Sequence, residues 1–178
     1  MSRVETLKNG IVVVHNLTIN YDEPPPNLKW LSSENKQGLV YDFPAEKWNI
    51  GKSGIIEGVD IPILWPPILW QGSVGIMCNK SRERLTERNI GYSVPVELVA
   101  LQDKEIIKEL EGIGILWVTA LGQNNDDFMA NPEGDPQPVS LGLLDEKWFG
   151  NGLFLGYGFF DWLGQRAFVG APQITCLL

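Results

Sequence analysis

The fold is predicted first from residues 10–21, which read GIVVVHNLTINY. The stretch begins at an Asn-Gly turn signal and then alternates, as expected for a strand with one face against a core. The alternation places six side chains on one face of this strand, namely Ile11, Val13, His15, Leu17, Ile19 and Tyr21. Because its neighbours on that face are apolar, His15 is predicted to be buried, structural and held by a hydrogen-bond partner.

Strand signals recur at short intervals along the rest of the chain. Residues 113–121 form an almost unbroken apolar run, which favours a central strand buried on both faces. Further strands are predicted at residues 38–42, 54–59, 92–101, 153–159 and 166–171. We therefore expect one domain over residues 1–178, mainly β, built as an antiparallel β-sandwich or barrel with one or two short helices. An α+β fold is the alternative.

Two helices are predicted between the strands. The stronger one follows Asp103, whose carboxylate is suited to cap the first backbone N–H groups of a helix. Three aliphatic residues form one stripe along that helix, namely Ile106, Ile107 and Leu110. A second, shorter helix is predicted at residues 140–147.

Two polar segments are assigned to the surface. Residues 80–88 interleave the basic side chains with glutamates at a spacing that predicts a solvated helical turn or a charged hairpin. Residues 122–138 lack any periodicity and are rich in Asn, Asp, Gly and Pro, which predicts an exposed loop.

Charge limits the choice of partners. The chain has 14 basic and 22 acidic residues, a net charge of −8 that would repel a phosphate backbone and an anionic membrane alike. We therefore expect neither nucleic acid nor membrane as a partner. No signal peptide or membrane-spanning run is recognisable, which favours a cytoplasmic protein with Cys78 and Cys176 reduced.

The usual residues of metal and cofactor sites are scarce. With one histidine and two distant cysteines, the chain falls short of the three or four ligands that zinc requires. Gly51-Lys52-Ser53 lacks the earlier glycine of a phosphate-binding loop, since Glu46 stands in its place. We therefore expect no cofactor and no metal.

The most unusual local feature is a repeated Pro-Ile-Leu-Trp unit at residues 62–70. Its prolines are predicted to keep residues 61–70 out of helices and out of a regular central strand. Two interpretations remain, an irregular core connection or a contact surface for a protein partner or a second copy. The contact surface would consist of Ile63, Leu64, Trp65, Ile68, Leu69 and Trp70.

Three functions are compatible with these features. The first is a non-enzymatic interaction or structural domain, part of a homo-oligomer or a larger assembly, because aromatic contact surface is plentiful and catalytic residues are few. The second is a β-sandwich that binds carbohydrate or another small ligand through Trp148, Tyr157 and Trp162. The third is a carboxylate-based hydrolase that uses Glu57, Asp60 or the loop from Asp126 to Asp135.

Overall fold

The computed structural model describes residues 3–26, 29–31, 40–42, 45–65, 74–122, 129–130, 136–137, 139–144, 148–150 and 166–174. Within them lie twelve strands: β1 (Val4–Thr6), β2 (Ile11–Asn20), β3 (Lys29–Leu31), β4 (Val40–Asp42), β5 (Ile55–Leu64), β6 (Trp117–Ala120), β7 (Met129–Ala130), β8 (Pro136–Gln137), β9 (Val139–Gly142), β10 (Trp148–Gly150), β11 (Arg166–Val169) and β12 (Gln173–Ile174). The helices are α1 (Val74–Thr86), α2 (Lys104–Gly112) and two 3-10 helices, Ala45–Lys47 and Pro95–Leu101.

Eight strands form one open, mixed sheet in the order β1-β2-β5-β11-β6-β9-β10, with β12 also paired to β5. The pair β11–β6 is parallel, and the other pairs of this sheet are antiparallel. The prediction of a sheet-rich fold is confirmed, but this sheet is not closed into a barrel, and its mixed pairing fits the α+β alternative. Strands paired from distant parts of the chain leave no local signal in the sequence.

Helices pack on both faces of this sheet. The 3-10 helix at Pro95–Leu101 and α2 cover one face, which we call the α2 face, and α1 covers part of the opposite α1 face. The buried cluster on the α2 face includes Val12, Ile63, Leu98, Ile106, Leu110, Val118 and Val169. The buried cluster on the α1 face comprises Ile11, Leu64, Cys78, Leu85, Ile90, Leu121 and Phe168.

Two irregularities interrupt the pairing of β2 with β5. Between Val14 and Leu17 the register shifts by one residue, so β2 contains an extra residue, and Asn16 adopts a φ of 54°. Asparagine tolerates this left-handed conformation better than most residues do. A second shift follows in β5, where Gly58 has a φ of 68°. Each extra residue changes which side chains face the core.

The first of these bulges decides the position of His15. Val12 and Val14 face the α2 side before the bulge, and Leu17 faces the same side after it. His15 instead lies on the α1 face with Val13. The prediction that His15 shares a buried apolar face with Leu17 is therefore wrong, because strict alternation ends where a strand contains an extra residue.

The central strand β5 contains Pro62, although the prolines of this segment were predicted to keep it out of a regular central strand. The Pro62 carbonyl accepts a hydrogen bond of 2.8 Å from the N–H of Gly170. In an antiparallel pair the N–H and C=O of one residue point to the same neighbour, so the N–H that proline lacks would face Gly170, the residue directly after β11. Proline therefore costs the sheet one hydrogen bond at most, at the end of β11. The prediction that residues 61–70 lie outside regular structure is wrong for residues 61–64.

Two further segments differ from their predicted structure. Residues 95–101 form a 3-10 helix instead of a strand, because Pro95 favours a first helical turn and the Glu97 carboxylate accepts the Val94 N–H at 2.9 Å. Residues 139–142 form the buried strand β9 instead of the start of a helix, as short apolar runs have no decisive periodicity.

Other predictions agree with the structure. Asp103 caps α2 by accepting the N–H groups of Glu105 and Ile106. The apolar run at residues 113–121 contains the fully buried strand β6.

The segment 122–138 contains the short pair β7–β8, although most of it lies outside the described residues, as do residues 153–159 and Cys176. In the described part of the chain, no helix combines the length and apolarity that a membrane crossing needs.

Candidate functional site

His15 lies between two carboxylates on the α1 face, beyond the region that α1 covers. Its Nδ1 is 3.0 Å from Asp60 Oδ2, and its Nε2 is 3.2 Å from Glu5 Oε2. Asp60 Oδ1 also accepts the Asn16 N–H at 3.0 Å, so this carboxylate holds both His15 and the bulge. The cluster therefore connects β1, β2 and β5.

The electrostatics of this cluster favour a protonated imidazole. Burial lowers the pKa of His15, but the hydrogen bonds and charges of Asp60 and Glu5 outweigh burial and raise the pKa above its usual 6.5. The two carboxylates bind opposite edges of the ring, so they do not converge on one point. Among the described residues, no group of three or more His, Cys, Asp or Glu side chains has an arrangement that could hold a metal ion.

The raised pKa of His15 predicts a pH dependence of stability. The cluster stabilises the fold fully below about pH 6.5, the pKa of an unperturbed histidine, and this contribution is lost as the pH rises through the raised pKa. His15 is the sole histidine, so its imidazole proton signals in an NMR titration are unambiguous. We expect a midpoint above that of a model histidine peptide.

The matching stability measurement uses His15→Gln. The wild type should lose stability relative to this variant as the pH is raised from about 6.5 through the raised pKa of His15, measured by urea unfolding at each pH. A midpoint at or below that of the model peptide would contradict the prediction, and so would a variant whose stability falls over this range as the wild type's does.

A second polar cluster lies in the core of the α2 face. Glu97 is fully buried, and its Oε1 accepts hydrogen bonds from Lys52 Nζ at 2.6 Å and from the Tyr21 hydroxyl at 2.7 Å. Its Oε2 accepts the Val94 N–H. Burial, and then the hydrogen bond to Glu97, raise the pKa of Tyr21 well above its usual range. All these groups satisfy one another, so we interpret this cluster as structural.

An open hollow of about 580 Å³ lies beside α1. At its base Arg82 is buried and donates hydrogen bonds to the carbonyl oxygens of Leu121 and Gly122 and to Asn79 Oδ1. The hydroxyls of Thr86 and Tyr92 are 2.7 Å apart. The described lining residues are Asn79, Arg82, Glu83, Thr86, Glu87 and Tyr92. The predicted helical turn is thus present, but Arg82 is buried rather than solvated.

The first residues of β5 form an exposed apolar edge. Ile55 is 63% exposed and Ile56 is 38% exposed, and Ile174 of the adjacent β12 is 77% exposed. On one side this part of β5 pairs with β2. On the other side β12 pairs with Val59 and Asp60, and no described strand continues that pairing over residues 55–58. We call residues 55–58 with Ile174 the β5 edge.

The predicted site residues are distributed over several environments. Ile63 and Leu64 are core residues on opposite faces of β5, which packing within the chain explains. Trp65 is half-buried beside Gly114. Glu57 is exposed at the β5 edge, and Asp60 belongs to the His15 cluster. The remaining predicted site residues have side chains outside the described part of the chain. They are Ile68, Leu69, Trp70, Trp148, Tyr157, Trp162 and the residues from Asp126 to Asp135.

Several residues of these sites were not singled out from the sequence. Glu97 is a lone acid within the apolar run 94–101, and this isolation is a usable signal for a buried, paired carboxylate. Glu5 and Lys52 have no comparable signal, because their partners are distant in the sequence.

Comparisons with protein-family models, with curated proteins and with solved structures each find no match. Function is therefore inferred from the geometry of the chain itself.

Proposed function

We propose that the protein is a non-enzymatic interaction domain, and that the β5 edge docks an extended segment of a partner protein. The observation that carries the proposal is the exposure of Ile55, Ile56 and Ile174 beside a strand margin. Residues 55–58 have no described neighbouring strand on one side, and their apolar side chains are exposed. This combination is typical of a surface that accepts an added strand. In this mode, main-chain hydrogen bonds supply affinity and alternate side-chain contacts supply specificity.

The charges around the β5 edge select the chemistry of the partner. Asp22 is exposed beside it and accepts the Gly54 N–H, and Glu57 is exposed within it. Lys52, the basic residue closest in sequence, is engaged by the buried Glu97. The whole chain has a net charge of −8. This acidic surrounding favours a segment that alternates apolar and basic side chains.

The proposed surface differs from the Pro-Ile-Leu-Trp segment expected from the sequence. Ile63 and Leu64 are buried within the chain, whereas Ile55 and Ile56, which are exposed, lie at the opposite end of the same strand. Docking by a second copy of the chain remains compatible with the apolar part of the edge, but the shared acidic charge opposes it.

A peptide selection tests this proposal. Displayed ten-residue peptides are selected on the wild type and counter-selected on Ile55→Asp, which places a charge in the edge without touching the core. We expect the enriched peptides to alternate apolar and basic residues. In fluorescence anisotropy, Ile55→Asp should weaken their binding about tenfold or more, since an apolar contact is replaced by a charge to be desolvated.

Leu144→Asp is the matched control, because Leu144 is a 56% exposed aliphatic residue away from the β5 edge. Its peptide affinity should equal that of the wild type. Enriched peptides that bind Ile55→Asp as tightly as the wild type would refute docking at this edge. A concentration-dependent dimer in sedimentation equilibrium that Ile55→Asp dissociates would instead identify a second copy as the occupant.

A further inference from the structure

We infer that the hollow beside α1 binds a neutral, polyhydroxylated small molecule of the size of a monosaccharide or disaccharide. This site is separate from the β5 edge. Its volume of about 580 Å³ lies within the range of about 300–1,000 Å³ typical of small-molecule sites.

The lining offers both kinds of hydrogen-bonding group. Glu83 and Glu87 supply carboxylate acceptors, Asn79 supplies an amide, and Thr86 and Tyr92 supply a pair of hydroxyls 2.7 Å apart. A polyol needs such a mixture, because each of its hydroxyls both donates and accepts. The half-buried ring of Tyr92 adds an apolar surface to the same wall.

The charges of the lining oppose a strongly charged ligand. Arg82 supplies one positive charge at the base, and Arg88, which lies outside the lining, has its Nη1 3.8 Å from Glu87 Oε2. These two cations balance the two glutamates of the wall. An anion would meet Glu83 and Glu87, while the guanidinium of Arg82 already donates to two backbone carbonyls. A cation would meet Arg82, so a neutral polar ligand fits best.

The rigidity of the base supports a preformed site. The bonds from Arg82 to the carbonyls of Leu121 and Gly122 attach α1 to the end of β6, and a third bond to Asn79 fixes one wall. A hollow whose base is held in this way keeps its shape without ligand, which lowers the entropy lost on binding.

Ligand-observed and protein-observed NMR test the proposal. The probes are glucose, galactose, mannose, N-acetylglucosamine and maltose, with arginine and inorganic phosphate as charged probes. We expect saturation transfer to at least one sugar, with amide shifts at Asn79, Thr86 and Tyr92. Glu83→Gln and Tyr92→Phe should each weaken that binding about tenfold, as expected when a charged acceptor or a hydroxyl that bonds the ligand is lost.

Glu111→Gln is the matched control, since Glu111 is an exposed helical glutamate on α2. It should leave the affinity for the sugar unchanged. The proposal is overturned if no sugar binds, if arginine or phosphate perturbs these amides more strongly than every sugar, or if Glu83→Gln and Tyr92→Phe both bind sugar as the wild type does. Circular dichroism of each variant verifies that the fold is retained.

Discussion

Replacement of Glu97 with alanine is expected to lower the free energy of unfolding by about 3–5 kcal/mol. The carboxylate is fully buried, and it accepts hydrogen bonds from the Tyr21 hydroxyl, the Lys52 ammonium and the Val94 N–H. Alanine leaves the Tyr21 and Val94 donors in the core without an acceptor, and each buried orphan donor costs about 1–3 kcal/mol. Urea unfolding followed by circular dichroism measures the loss.

Two further variants make this expectation specific. Glu97→Gln keeps an acceptor oxygen in place but removes the charge, so it should cost less than Glu97→Ala. Glu111→Ala removes an exposed glutamate from α2 and should change stability by no more than about 0.5 kcal/mol. A Glu97→Ala protein as stable as Glu111→Ala would show that the buried cluster contributes nothing to the fold.

The second large effect is expected from Gly170→Ala. Gly170 follows β11 directly, and its N–H donates to the Pro62 carbonyl. A Cβ at this position would overlap Ile90 Cγ2, and it would lie 3.1 Å from Pro62 Cγ and 3.3 Å from the Pro62 carbonyl oxygen. Because Pro62 is rigid and lies in a central strand, the structure has little freedom to relax. We expect a loss of about 3 kcal/mol in thermal or urea unfolding.

Gly112→Ala is the matched control for this prediction. Gly112 is the last residue of α2, and a Cβ there would meet no atom within 4 Å. Alanine should therefore be neutral or stabilise by up to about 1 kcal/mol. In a double-mutant cycle, Gly170→Ala should cost less in an Ile90→Ala background, which removes the overlapping methyl group. An equal cost in both backgrounds would show that overlap with Ile90 is not the cause.

The sequence predicts those elements whose signals are local. The cap at Asp103 lies within three residues of the N–H groups that it accepts, and β6 is a continuous apolar run. The bulge at Asn16 depends on pairing with β5, more than 40 positions away, so alternation within β2 assigned His15 to the wrong face. The place of Pro62 in a strand is unpredictable for the same reason, because its tolerance in β5 depends on the end of β11, which is distant in the sequence.

The candidate sites were less predictable than the strands. Asp60 was identified as a carboxylate of interest, but its contact with His15 arises only when β2 and β5 pair around the bulge. Ile55 is exposed at the end of β5 that pairs with the end of β2, and the hollow beside α1 depends on the position of Arg82. Each of these features results from tertiary contacts between segments that are distant in the sequence.

The position of β11 in the sheet has a consequence for how the protein is made. β11 joins β5 to β6, yet Phe168 pairs with Leu64, which the ribosome adds about a hundred residues earlier. At synthesis rates of about 5–20 residues per second, β5 waits roughly 5–20 s for this neighbour. During that interval the nascent chain carries an apolar strand with an open margin, so it is a candidate for chaperone binding until β11 emerges.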